Sequence, residues 1–234
     1  MKGSIGRLLV GVVLVGLVVA APAVRADMTI TMETETKGTG PAQKATTTQY
    51  YTATKMRTEM GETSASIIDL DEERMITLMP ATKMYLVQTF AQLKQMAAAM
   101  KGQKPTVEVE KTEEEQEISG YNCQKVIVRM SVMGSQTVME MWMTTEADID
   151  DSIKEFQENS AEKFKDIPHM SASSEAMKEL VEEGFFPIKT VTRTKMPAGT
   201  MTTTQTVTKI EKGDLDESLF EIPEGYKEMK MGVR

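Results

Sequence analysis

From Asp27 onward the chain alternates at period two, with Met, Val, Ile and Thr trading places with Glu, Lys, Arg and further Thr. A β-strand sends successive side chains to opposite faces, so this pattern prescribes half-buried strands over most of the length. In "MTITMETET" Met28, Ile30 and Met32 oppose Thr29, Thr31 and Glu33. The Gly/Pro-bearing "KGTGPAQK" reads as a turn before "TTTQYYTATKMRTEM". Three short strands follow in "SASIIDLDEERMITLMPATKMYLVQ", joined at Asp71 to Glu73 and at Pro80. Further on, Gly120 and Gly134 mark hairpin turns, and Val126, Val128, Met130 and Val132 share one strand face. A last hairpin turns at Pro197-Ala198-Gly199 before the closing segment "SLFEIPEGYKEM". Thr202, Thr204, Thr206 and Thr208 suit a wet outer face.

Three helices interrupt this meander at two places. Phe90, Leu93, Met96 and Met100 fall three or four residues apart, and Thr89 with Gln92 matches a capping box, with Gly102 and Pro105 ending the segment. Asp148, Asp150 and Asp151 open a second helix, the acids favouring the positive end of its dipole. Its stripe is Ile153, Phe156, Ser160 and Phe164, and Pro168 is expected to break it. A third helix carries Met177, Leu180 and Val181 and stops at Gly184. The expected class is α+β, an antiparallel sheet with one face covered by the three helices.

Residues 1–26 read as an export signal. Lys2 and Arg7 precede an apolar run from Leu8 to Val24, and Val24-Arg25-Ala26 supplies small residues for cleavage after Ala26. The run is short for a membrane span, and an uncleaved anchor is the alternative. Residues 27–234 then form one domain, extracytoplasmic and expected to be periplasmic, with no stable membrane insertion after cleavage. Losing Lys2, Arg7 and Arg25 leaves 24 basic against 35 acidic side chains, a net charge of −11. Such a balance argues against nucleic acid as a partner. Cys123 is the sole cysteine, so no intrachain disulfide can form and stability must come from burial.

The usual groups of catalysis are nearly missing. His169 is the sole histidine and is expected in a solvated interhelix connection, while Cys123 at a strand start reads as a buried structural thiol. The acidic runs at Asp69 and Asp148 fail as calcium loops, because Arg74 and Ile153 stand where such a loop needs glycine. No enzyme activity and no cofactor is therefore expected. Twenty methionines beyond the initiator are the chemical signature that remains. In "VMEMWMTT", Met139, Met141 and Met143 point one way and Trp142 the other. Thioethers in this arrangement can fill a core, line a pliable groove or hold Cu(I), and all three readings stay open here.

The order of "KMRTEM", "SIIDLDEERMITLMPATKMY", "ISGYNCQKVIV", "MEMWMTTE", "GFFPIKT" and "SLFEIPEGYKE", spanning about Thr48 to Lys227, resembles a family of exported bacterial proteins labelled as a domain of unknown function. That family is similar, at superfamily level, to the periplasmic lipoprotein carrier LolA and its receptor LolB. The resemblance implies a half-open β-barrel, a curved antiparallel sheet covered on its concave face by about three helices, with a hydrophobic cavity between them for acyl chains. Its implied partners are a lipid, an acyl chain or another amphiphile, with a lipoprotein among the candidates. Arg57 occupies a strand context comparable to that of the carrier's lid-holding arginine. Candidate groove residues are Phe90, Leu93, Met96, Val126, Val128, Met130, Met139, Met141, Met143, Ile153, Phe156 and Phe164. The rival readings are a Met-based Cu(I) binder and a structural or partner-binding module with a solid core.

Overall fold

A computed structural model describes residues 27–38, 40–99, 106–132, 135–196 and 199–229. The export signal, Met100, Gly102, Pro105, Gly134 and Pro197-Ala198 lie outside the described residues. The alternating segments become β1 (Asp27–Lys37), β2 (Gln43–Tyr51), β3 (Lys55–Met60), β4 (Ser64–Asp69), β5 (Arg74–Met79) and β6 (Met84–Thr89). After α1 (Phe90–Ala99) come β7 (Thr106–Ile118), β8 (Tyr121–Val132) and β9 (Ser135–Thr144). Helices α2 (Asp151–Phe164) and α3 (Pro168–Glu182) precede β10 (Phe186–Met196), β11 (Gly199–Gly213) and the two-residue β12 (Lys227–Glu228).

All twelve strands join one open sheet in the order β12-β6-β5-β4-β3-β2-β1-β11-β10-β9-β8-β7. Every pairing is antiparallel except β12 on β6, which is parallel. Local chemistry sets the punctuation. Thr89 and Gln92 form the reciprocal capping box at α1, with bonds of 2.9 and 3.2 Å. Ser119 and Gly120 both take positive φ, 52° and 83°, as a two-residue hairpin between twisted strands requires. Gly184, at φ 81°, ends α3 with Phe185 N–H donating to the Leu180 carbonyl.

Two local expectations are corrected. Pro168 does not break α2, which already ends at Phe164; it opens α3 at a position where a missing N–H costs nothing. His169 therefore lies in α3 and not in a connection. The stretch "TTTQYYTATKMRTEM" is two strands, because Thr52 closes a turn by accepting a 2.9 Å bond from the Lys55 N–H. That turn carries no Gly or Pro to announce it.

The sheet curls strongly. Strands β8 and β11 are three spacings apart, about 14 Å if flat, yet Ser119 Oγ at the β7–β8 turn donates to the Val207 carbonyl of β11 at 2.9 Å. Connectivity demands the same. Ten spacings separate β6 from β7, about 48 Å in a flat sheet, whereas α1 and the residues to Thr106 reach at most about 40 Å.

Both sheet faces are packed. On the helix side, Phe90, Phe156, Phe164, Leu70 and Ile167 form one cluster against Tyr51, Met56, Ile68 and Met75. Leu180 of α3 packs on Val126, Val128, Met141 and Met143 in a second. Ile153 of α2 joins Met28, Ile30 and Met32 of β1 in a third, which also takes in Cys123, Ile188 and Val207. On the opposite face, the segment from Leu215 to Tyr226 covers Ala65, Ile67, Ile76 and Leu78 with Phe220 at its centre.

Candidate functional site

Cross-strand partners lie on the same side of a sheet, so register assigns every strand residue to a face. Met139 pairs with Val128 and Thr192, Thr192 with Thr203, and Thr203 with Thr36. Met32 pairs with Val207 and Thr47, Thr47 with Met60, and Tyr51 with Met28 and Met56. Met56 pairs with Ile68, Ile68 with Met75, and Met79 with Met84. Because these residues meet Ile153, Phe156 and Leu180, the face they share is the one toward the helices.

Every methionine in a described strand falls on that face. They are Met28 and Met32 of β1, Met56 and Met60 of β3, Met75 and Met79 of β5, Met84 of β6, Met130 of β8, Met139, Met141 and Met143 of β9, Met196 of β10 and Met201 of β11, thirteen in all. Strand charges on β1 to β6 and β8 to β11 go to the opposite face, among them Glu33, Glu35, Arg57, Glu59, Lys125, Arg129, Glu140 and Arg193. The exception is Lys212 at the end of β11, whose ammonium bonds Asp148 at 2.5 Å. Trp142 also points away from the methionines, under the Lys125 ammonium at 5.7 Å. Methionines scattered along the chain are thus concentrated in space.

Threonine hydroxyls run between the sulfurs. Thr34 and Thr47 share a buried 2.8 Å hydrogen bond, Thr137 and Thr194 one of 3.3 Å, and Thr36 and Thr203 one of 3.4 Å. Each hydroxyl satisfies a neighbour, which keeps this band uncharged without leaving buried polar atoms unpaired. The surface therefore offers methyl groups, thioethers and hydroxyls.

The twelve candidate residues separate into these packed clusters. Phe90, Phe156 and Phe164 are buried together with half-buried Leu93, and Phe90 meets Phe164 edge-on at 4.8 Å. Val126, Val128, Met141 and Met143 are buried with half-buried Met130 and Met139, while Ile153 is buried in the β1 cluster. Met96 stands 45% exposed. Sequence reading missed Met60, Met196 and Met201, whose shared parity with the candidates appears only once strand register is known. Among the described residues the exposed large apolar side chains are Met60 (43%), Met96 and Met196 (44%), all methionines.

Two depressions flank β1, β2 and β11. One, of about 460 Å³, is lined on the outer face by Glu33, Glu35, Lys44, Thr46, Thr204 and Thr206. There a hydrogen bond from Lys37 holds the Glu35 carboxyl below its ordinary range. The other, of about 250 Å³, is lined by Met196 and Met201 with Thr36, Pro41 and Gln43.

Arg57 serves a different place from a lid. Its guanidinium lies on the face away from the helices, bound to Glu59 at 2.8 and 2.7 Å and donating to the Leu219 carbonyl at 2.7 Å. It fastens the C-terminal segment to the sheet. Arg57→Ala strands that carbonyl and the Glu59 charge, so unfolding free energy is expected to drop by about 1–3 kcal/mol, read as a lower urea midpoint at unchanged slope. Cys123 is 1% exposed, and burial, followed by the Glu146 carboxylate, pushes its thiol pKa up. A buried thiol held protonated in this way suits packing.

None of the curated proteins matches the chain. Among solved structures, PNGF-II is similar at 14% identity with a TM-score of 0.41, over 87% of this chain but 31% of its own, so the chain spans about a third of that protein. A domain described as an outer membrane lipoprotein-sorting protein from Vibrio parahaemolyticus has 9% identity over 82% of this chain and 88% of its own, with a TM-score of 0.36. A DUF1329 family protein from Desulfovibrio piger has 9% identity over 85% and 91%, with a TM-score of 0.39. The family model described as Domain of unknown function (DUF4412) matches residues 21–226, and the chain belongs to that family.

Proposed function

We infer that this protein is an exported, non-catalytic binder of an amphiphile, a lipid or a lipidated polypeptide, held against the methionine-bearing face of its sheet. The observation that carries this reading is the segregation of all thirteen described strand methionines to the helix side, with Met60 and Met196 exposed. Unbranched, polarizable thioethers remould around a flexible chain at little cost, whereas branched residues favour one fixed packing. The half-buried Thr36–Thr203 and Thr137–Thr194 pairs each keep a spare donor and free lone pairs for the polar end, since a hydroxyl both donates and accepts. Residues 1–26 support export, and among the described residues no helix is long and apolar enough to cross a membrane.

A second reading has its own support: Phe90, Val126, Val128, Met143 and Ile153 are as buried as any core, as in a structural module with a filled interior. The deciding experiment is mass spectrometry of organic extracts and metals from mature protein purified without detergent. Stoichiometric lipid is the expected result. Protein free of lipid and inert to added fatty acid would favour the filled module, and stoichiometric copper would transfer the methionines to metal chemistry.

A further inference from the structure

Resting on the amphiphile reading, we propose that Met60, Met96 and Met196 are oxidation sites at which peroxides turn exposed apolar side chains polar and release the ligand. The three thioethers are 43 to 45% exposed, while Met28, Met32, Met141 and Met143 lie at 0 to 8%. Reactivity of a thioether follows its access to the oxidant, so among the described methionines this contrast separates a reactive from a protected set. The sulfur lone pair attacks one peroxide oxygen, the O–O bond breaks, a sulfoxide forms and water leaves; sulfur loses the two electrons that the peroxide gains. No further reactant is required.

The consequence follows from position. Met60 pairs with Thr47 beside the buried Thr34–Thr47 hydroxyl bond, and Met196 lines the depression it shares with Met201. Met96 continues the Phe90–Leu93 stripe of α1 past the packed cluster. A sulfoxide at any of them sets a strong acceptor against an acyl chain that cannot donate to it, which weakens binding. The buried sulfurs stay reduced, so the fold survives the switch.

The test treats the mature protein stepwise with hydrogen peroxide, maps oxidised peptides by mass spectrometry and titrates the fluorescent fatty acid cis-parinaric acid at each step. Oxygen is expected first at Met60, Met96 and Met196 with unchanged far-ultraviolet circular dichroism, and probe affinity falls about ten-fold. A variant carrying Met60→Leu, Met96→Leu and Met196→Leu keeps its affinity through the same treatment. First oxidation at Met141 or Met143, undiminished affinity of the oxidised native protein, or equal loss in the leucine variant would overturn the switch. Untreated protein that binds no probe would overturn the amphiphile reading instead, and the oxidation map would still stand as a separate result.

Discussion

Phe156→Ala is expected to remove about 3–5 kcal/mol of unfolding free energy, the range for emptying a large aromatic from a packed site. Phe156 is 6% exposed, meets Tyr51 edge-on at 5.7 Å and 76°, and joins α2 to the cluster of Phe90, Phe164 and Ile167. Urea denaturation measures the loss, and one within about 1 kcal/mol would mean that α2 contributes little to the fold. The same substitution has a spectroscopic mark. Burial raises the Tyr51 phenol above its ordinary value of 10.0, so its proton is retained in the folded state to higher pH than in the unfolded chain. This contribution to stability is complete below about pH 10 and is lost as pH rises from there toward the folded-state value, because the unfolded state ionises first. Opening the site in Phe156→Ala should bring the Tyr51 titration down toward that of a free phenol, visible as earlier tyrosinate absorbance.

Met60→Glu is expected to weaken fatty-acid binding by about a hundred-fold or more, because an acyl chain lying over an unpaired carboxylate strips its water without offering a partner. Its 43% exposure makes the substitution tolerable for folding. Thr204→Glu, on the outer face beside Glu35, is the control and should change affinity by less than about two-fold. Equal loss in both variants would point to net charge, and loss in neither would remove the ligand from the methionine face.

Much of the architecture was legible before any coordinates. Period two located the strands, the Thr89 and Gln92 pair located the start of α1, and Asp150 caps α2 through the Ser152 N–H at 3.1 Å. These signals act within a few residues, where backbone hydrogen bonding decides the outcome. The turn at Thr52 was hidden because threonine forms it by a side-chain bond that leaves no compositional trace. Pro168 misled for a related reason: proline opens a helix as readily as it halts one, and only the preceding residues distinguish the cases.

The site was half visible. Met139, Met141 and Met143 announce a common direction by themselves, being two apart on one strand. That Met196 and Met201 share it depends on Thr194 pairing with Met201 and Thr137 with Thr194, contacts made between residues distant in the chain. The role of Arg57 was equally out of reach, since its carbonyl partner at Leu219 is 162 residues away.

Alternation by itself determined that this chain makes strands with one uncharged and one charged side, because side-chain direction in an extended backbone follows from geometry alone. Only the tertiary structure decided which residues became neighbours across twelve strands, how far the sheet curls, and where three helices leave thioethers in contact with water. Those outcomes depend on register and long-range burial, and neither is encoded in any local stretch of residues.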